Sequence, residues 1–203
     1  MKTEIKICGI TRRADAEAAA KLGFDYVGAV LFAGSRRYVP ALNLPDLFGG
    51  LPASVKRVGV FVDAAAAEIE AALATGCLDI VQLHGGESAE FAAELGKRIT
   101  VWKAVTLTEP ADIGRFAAFP AARLVLDSSG GGSGRCCDWP LAARMAARRP
   151  VMLAGGITQA NAAQAVAAVN PAGIDLAGGV ELAYGIKSLE KMIELKEALN
   201  QHE

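Results

Sequence analysis

Short aliphatic runs alternate with alanine-rich stretches along the whole chain. The runs at 4–8, 26–31, 57–62, 79–84, 99–105, 123–127, 151–154 and 173–177 are rich in Val, Ile and Leu. Their length and β-branched content predict strands. The stretches at 13–22, 64–75, 87–96, 109–118, 140–148 and 158–169 predict helices, as do a short piece at 43–49 and a C-terminal stretch at 188–200. Strands alternating with helices predict a parallel sheet. Eight such units predict an α/β protein folded as a closed (β/α)8 TIM barrel, a single domain over residues 1–203. The alternative is an open doubly wound sheet, which usually carries its glycine fingerprint after the first strand. Here glycine pairs follow the seventh and eighth strands instead. Two loops after strands are longer than the rest, at about 32–45 and 128–139, and both would lie at the catalytic face of a barrel. The glycine density of the second predicts a mobile lid.

Composition narrows the class. Hydrophobic residues make up 52% of the 203 and Gly contributes 22 more, enough for a core, so wholesale disorder is excluded. With 21 basic and 22 acidic residues the net charge is −1. No net basic field exists to hold nucleic acid or an anionic membrane surface. No apolar run approaches the roughly 18 residues of a membrane span. Lys2, Glu4 and Lys6 occupy the stretch where a signal peptide needs apolar residues. These features point to a cytoplasmic protein with reduced cysteines. Cys8, Cys77, Cys136 and Cys137 form no CxxC pair, and with only His84 and His202 beside them no metal site is expected.

Strand parity singles out a few positions. Lys6 and Cys8 share one face of the first strand, with Ile5 and Ile7 on the other. Cys8 would then stand at the barrel mouth, either as a buried structural thiol or as a base or nucleophile activated by the nearby Lys6 cation. Asp127 ends the sixth strand, either as a loop acid capping a helix or as a general acid whose pKa partial burial raises. A buried Lys6 needs a carboxylate, and parity leaves Asp127 and Asp175 both open as its partner. Gly155-Gly156 and Gly178-Gly179 read either as turn glycines or as backbone N–H cradles for a phosphate. Arg36 and Arg37 are either solvated or include a bidentate clamp for a carboxylate. His84, ending the fourth strand, is either a rim hydrogen-bonding group or a substrate contact.

Several segments together resemble one family. They are Lys6-Ile7-Cys8-Gly9-Ile10-Thr11, Ser35-Arg36-Arg37-Tyr38-Val39, Gln82-Leu83-His84-Gly85, Leu126-Asp127-Ser128, Gly131-Gly132-Ser133-Gly134 with Asp138-Trp139, Leu153-Ala154-Gly155-Gly156-Ile157, and Asp175-Leu176-Ala177-Gly178-Gly179-Val180-Glu181. In order and spacing, from Lys6 to about Ser188, they resemble the phosphoribosylanthranilate isomerases of tryptophan biosynthesis. The resemblance implies a barrel enzyme that performs an Amadori rearrangement on a small phosphorylated substrate. It implies Cys8 as general base, Asp127 as general acid, Arg37 on the substrate carboxylate and His84 in the substrate pocket. It implies the four glycines Gly155, Gly156, Gly178 and Gly179 on the phosphate. No cofactor is implied, and the protein would be a monomer or homodimer.

Five positions depart from the family pattern. Arg36 replaces a Pro or Lys, Cys137 a Phe, Ala177 and Gly178 serines, and Ser188 an Asp. The loss of two hydroxyls shifts phosphate contact toward backbone N–H groups, whereas Ser188 is as good a helix cap as Asp. The related histidine-pathway isomerase carries Asp where Cys8 stands. A metal-dependent epimerase of this fold needs more His ligands than two. A barrel that binds a phosphorylated metabolite without catalysis is the remaining alternative.

Overall fold

The computed structural model describes residues 3–128 and 136–200. Eight parallel strands close into a barrel in sequence order. They are β1 (Glu4–Ile7), β2 (Tyr26–Val30), β3 (Lys56–Phe61), β4 (Ile80–Leu83), β5 (Thr100–Val105), β6 (Arg123–Leu126), β7 (Val151–Leu153) and β8 (Gly173–Leu176). β8 returns to β1 in register, Lys6 opposite Asp175, so no sheet edge is left open. Outside lie α1 (Arg13–Lys21), α2 (Leu44–Phe48), α3 (Ala66–Leu73), α4 (Ala89–Leu95), α5 (Pro110–Ala117), α6 (Trp139–Ala146), α7 (Ala162–Val169) and α8 (Leu189–Asn200). Among the described residues no helix is long and apolar enough to cross a membrane.

The period-2 alternation of the strands splits the core in two. One set, including Ile5, Ile7, Val81, Leu83, Leu124, Leu126, Ile174 and Leu176, packs against the helices. The other fills the barrel with Val58, Val60, Ile80, Trp102, Ala104, Val125, Met152 and Ala154. The alanine excess has a packing reason. Ala16, Ala19, Ala72, Ala92, Ala142, Ala162 and Ala165 are the buried faces of their helices, and small side chains let those helices lie close to the sheet. At the N-terminal end of the barrel Arg123 stacks on Trp102 and Tyr26 and pairs with Glu4, closing that face.

One predicted element starts late, and one element was not predicted. The stretch 158–169 becomes regular helix only from Ala162. Asn161 is the cause: its Oδ1 accepts the Thr158 N–H at 2.8 Å and its Nδ2 donates to the Gly156 carbonyl at 2.9 Å. A side chain that satisfies nearby backbone groups in this way competes with helix. Beyond β8 the chain forms a small hairpin, β9 (Glu181–Ala183) with β10 (Ile186–Lys187), in a segment too short for periodicity to show. Ser188 caps α8, its Oγ accepting the Lys191 N–H at 3.2 Å, as the sequence predicts. Most of the predicted lid, residues 129–135, lies outside the described residues.

Candidate active site

Two groups of side chains face the C-terminal mouth of the barrel. The first is built on β8, β1 and β2. Lys6 points inward, fully buried, and its Nζ donates to Asp175 Oδ2 at 2.8 Å. The partner that parity left open is therefore Asp175, because barrel closure sets it beside Lys6 whereas Asp127 lies on β6. Burial pushes the Lys6 ammonium toward its neutral form, but Asp175 and the Cys8 sulfur together outweigh it and raise its pKa. Cys8 continues the inward face. Gly28 on β2 makes room for both, since a Cβ there would lie 3.1 Å from Cys8 Sγ and 3.2 Å from Lys6 Cε.

The Cys8 thiol differs from the sequence expectation. Burial raises its pKa, and the opposing pull of Lys6 and Lys187 does not overcome that. Lys6 is the strongest pull toward thiolate, but burial outweighs it, and the field of Asp175, which Lys6 already faces, also disfavours a thiolate. Without a bound molecule Cys8 is a thiol at neutral pH.

Arg37 reaches this side from the loop after β2. Its Nε and Nη2 donate to Glu181 Oε1 and Oε2 at 2.8 and 2.7 Å, a bidentate pair. The guanidinium lies over the Tyr184 ring, 4.9 Å from its centre, with Arg36 at 4.7 Å. Its stem crosses Gly9, whose φ is +70° and where a Cβ would stand 2.4 Å from Arg37 Cδ. Glu181 also accepts from Lys187 Nζ at 2.8 Å, and Lys187 donates to the carbonyls of Cys8 and Ala177 at 2.6 and 3.2 Å. Burial opposes the Glu181 charge, but Arg37 and Lys187 hold its pKa below the usual carboxylate range. Glu181 and Lys187 were not singled out from sequence. A carboxylate two residues after the second glycine pair was the one available sign.

The second group is built on β4, β5 and β6. Val125 faces the barrel interior, so Asp127 does too, just past the strand end. Its Oδ1 accepts the Ser128 N–H at 2.7 Å, and its Oδ2 lies 3.3 Å from His84 Nε2. Gln82, buried on β4 below His84, places its Nε2 3.1 Å from His84 Nδ1. A cleft of about 590 Å³ opens here, from Asp127 and His84 across Gly85 to Phe116 and Phe119. Its floor is held by Lys103, which donates to the Gly85 carbonyl at 2.5 Å and to Glu87 at 2.8 Å. Cys137 packs nearby. Burial, then the Asp127 charge, push its thiol up to about 12, so it is neutral and unreactive there.

The first glycine pair follows β7, between the two groups, and the second follows β8 on the side of the first group. Gly155 and Gly156 both have positive φ, 76° and 62°. Gly178–Val180 form one 3-10 turn after β8. The two loops touch: a Cβ on Gly179 would stand 2.1 Å from the Ile157 carbonyl oxygen. A helical turn leaves its first N–H groups without partners inside the turn, the usual basis of an anion cradle. The 590 Å³ cleft includes Asp127 and His84 but not Cys8, Arg37 or the glycine pairs.

Comparison with known proteins places the chain in a family. Residues 5–198 match the family model described as N-(5'phosphoribosyl)anthranilate (PRA) isomerase. An N-(5'-phosphoribosyl)anthranilate isomerase of Magnetococcus marinus is 40% identical over 196 residues, covering 95% of this chain and 92% of the relative. The crystal structure of the phosphoribosyl anthranilate isomerase of Thermus thermophilus superposes with a TM-score of 0.93 at 39% identity, over 99% of this chain and 100% of that one. A further phosphoribosyl anthranilate isomerase structure, solved with reduced 1-(o-carboxyphenylamino)-1-deoxyribulose 5-phosphate, gives 0.89 at 31% identity, over 98% and 99%. The chain belongs to the N-(5'-phosphoribosyl)anthranilate isomerase family.

Proposed function

We propose that the protein catalyses the Amadori rearrangement of N-(5-phosphoribosyl)anthranilate to 1-(2-carboxyphenylamino)-1-deoxyribulose 5-phosphate, a step of tryptophan biosynthesis. The observation that supports it, beside family membership, is the pair of inward-facing groups just past β1 and β6: a thiol, Cys8, and a carboxyl, Asp127. Asp127 as the acid gives its proton to the ribose ring oxygen. The C1–O bond breaks, the nitrogen lone pair forms a C1=N iminium, and the oxygen leaves as the C4 hydroxyl. Cys8 as the base takes the C2 proton. The electron pair of that C–H bond neutralises the iminium, giving an enolamine that tautomerises to the ketone.

The iminium nitrogen is the electron sink, so the chemistry requires no metal or organic cofactor. It also answers the thiol question. A positive iminium close to Cys8 favours thiolate, so the thiol releases its proton to solvent once the ring has opened, and the thiolate then takes the C2 proton. Arg37 keeps donors beyond those used on Glu181 and would bind the anthranilate carboxylate. His84 lines the pocket beside Asp127. The N–H groups at Gly155, Gly156, Gly178 and Gly179 would hold the phosphate, a backbone cradle suited to the Ala177 and Gly178 positions that carry no hydroxyl.

The test generates the labile substrate in situ from anthranilate and phosphoribosyl pyrophosphate with the transferase that joins them, and follows loss of its fluorescence. Rapid loss with wild type and little with Cys8→Ser or Asp127→Asn is expected. No loss with folded wild-type protein would overturn the assignment in favour of a barrel that binds without turnover.

A further inference from the structure

Gln82 has no assigned part in this scheme, yet it is only 1% exposed and its Oε1 has no partner among the described residues. An unbonded buried amide oxygen is costly, so its retention calls for a reason. Its Nε2 lies 3.1 Å from His84 Nδ1. Turning the amide around would instead strand two N–H donors where the oxygen now lies. Orphaned buried N–H groups are rarer than under-satisfied carbonyls, so the present orientation is the better one. Gln82 Nε2–H therefore donates to Nδ1. Nδ1 must carry the lone pair, and a neutral His84 carries its proton on Nε2.

We propose that Gln82 is a positioning residue that holds His84 in the neutral Nε2–H tautomer, so that the imidazole donates to Asp127 and cannot take its proton. The inference rests on Asp127 as the general acid. In the opposite tautomer the Nε2 lone pair, 3.3 Å from Asp127 Oδ2, would accept the proton that the ring oxygen needs. In the Nε2–H tautomer Oδ2 faces a donor and Oδ1 already accepts from Ser128, so the carboxyl proton sits on a lone pair that faces neither. Once the proton has left, the two donors stabilise the carboxylate. The contact at 3.3 Å is long, as such contacts often are before substrate binds. Among the described residues, the other charged or titratable groups around the pair are turned elsewhere or uncharged. Lys103 and Glu87 pair with each other at 2.8 Å, Arg115 lines the far wall of the cleft, and Cys137 beside Asp127 is an uncharged thiol.

The chain has two histidines, His84 and His202, so imidazole ¹⁵N–¹H correlation spectra are simple, and His202→Gln assigns them. At about pH 8, above the ordinary histidine range, wild-type His84 is expected with its proton on Nε2. Gln82→Met keeps the bulk and removes the donor; it should give mixed tautomers and lower kcat about tenfold, with KM within about twofold. Gln82→Glu offers an acceptor, and should move the proton to Nδ1 with at least as large a fall in kcat. Wild-type His84 protonated on Nδ1, or a Gln82→Met spectrum or kcat like wild type, would overturn the proposal. The spectra need no substrate, so they test the tautomer whether or not the isomerase reading holds. Full turnover by Asp127→Asn would remove the acid assignment and the catalytic half of this proposal, while leaving the spectra unchanged.

Discussion

The two sides of the barrel mouth are stabilised by different means. On the β8–β1–β2 side three long cations are bound to carboxylates: Lys6 to Asp175, and Arg37 and Lys187 to Glu181. On the β4–β6 side Lys103 and Glu87 form one buried ion pair at the cleft floor, but the groups around Asp127 meet through neutral or long contacts, Gln82 to His84 at 3.1 Å and His84 to Asp127 at 3.3 Å. Buried ion pairs hold one geometry firmly because breaking one leaves an uncompensated charge. Neutral hydrogen bonds permit small shifts. The base side is thus built to hold its partners still, and the acid side to lose a proton and adjust.

The largest expected effects fall on one residue from each side. Cys8→Ala and Asp127→Asn should each lower kcat/KM by at least the roughly 10²–10⁴-fold of an acid–base group, measured in the coupled assay. Equal, near-normal turnover by both would remove the chemical basis of the comparison. Next comes rigidity. Lys6→Met strands Asp175, whose Oδ1 already lacks a partner among the described residues, and should cost about 3–5 kcal/mol of unfolding free energy in urea. Adding Asp175→Leu should recover most of that. If Lys6→Met is no less stable than Gln82→Met, the contrast between the two sides fails.

Glu181→Gln sharpens the picture at Arg37. It loosens the bidentate pair without removing the guanidinium, so KM should rise about tenfold and more than kcat falls. The same variant carries a pH signature. Glu181 has a depressed pKa in the folded protein, so its stabilisation is present above the ordinary carboxylate range and is lost as pH falls through that range toward the folded pKa. The difference in Tm between wild type and Glu181→Gln should therefore be largest at neutral pH and shrink below about pH 4.5. A gap that stays constant to low pH would show that the charge on Glu181 contributes nothing. Ser188→Ala, beside Lys187 in the chain but with its hydroxyl on the α8 N-terminus, should cost about 1 kcal/mol through its lost cap, and kcat/KM should change by less than about twofold.

Much of this was legible in the chain because strands and their side chains repeat every two residues. Ile5 and Ile7 read as outward-facing, which left Lys6 and Cys8 facing in. The helix over 158–169 was legible except at its start, where Asn161 bonds locally to Thr158 and Gly156. The hairpin at 181–187 was not, because five strand residues do not make a pattern. Gln82 was overlooked for a related reason. A glutamine in an apolar strand carries no mark of function until its neighbours are known.

The sequence by itself determined the eight alternating units, the inward parity of Lys6 and Cys8, and the glycine pairs after the last two strands. These follow from local periodicity, which needs no knowledge of distant contacts. Only the tertiary structure decided that Lys6 pairs with Asp175, 169 residues away, since that depends on β8 closing onto β1. It also decided that Arg37 leans on Glu181, and that burial outweighs a neighbouring lysine at Cys8. Desolvation and Coulomb energies depend on what surrounds a group in space, and chain order does not contain those distances.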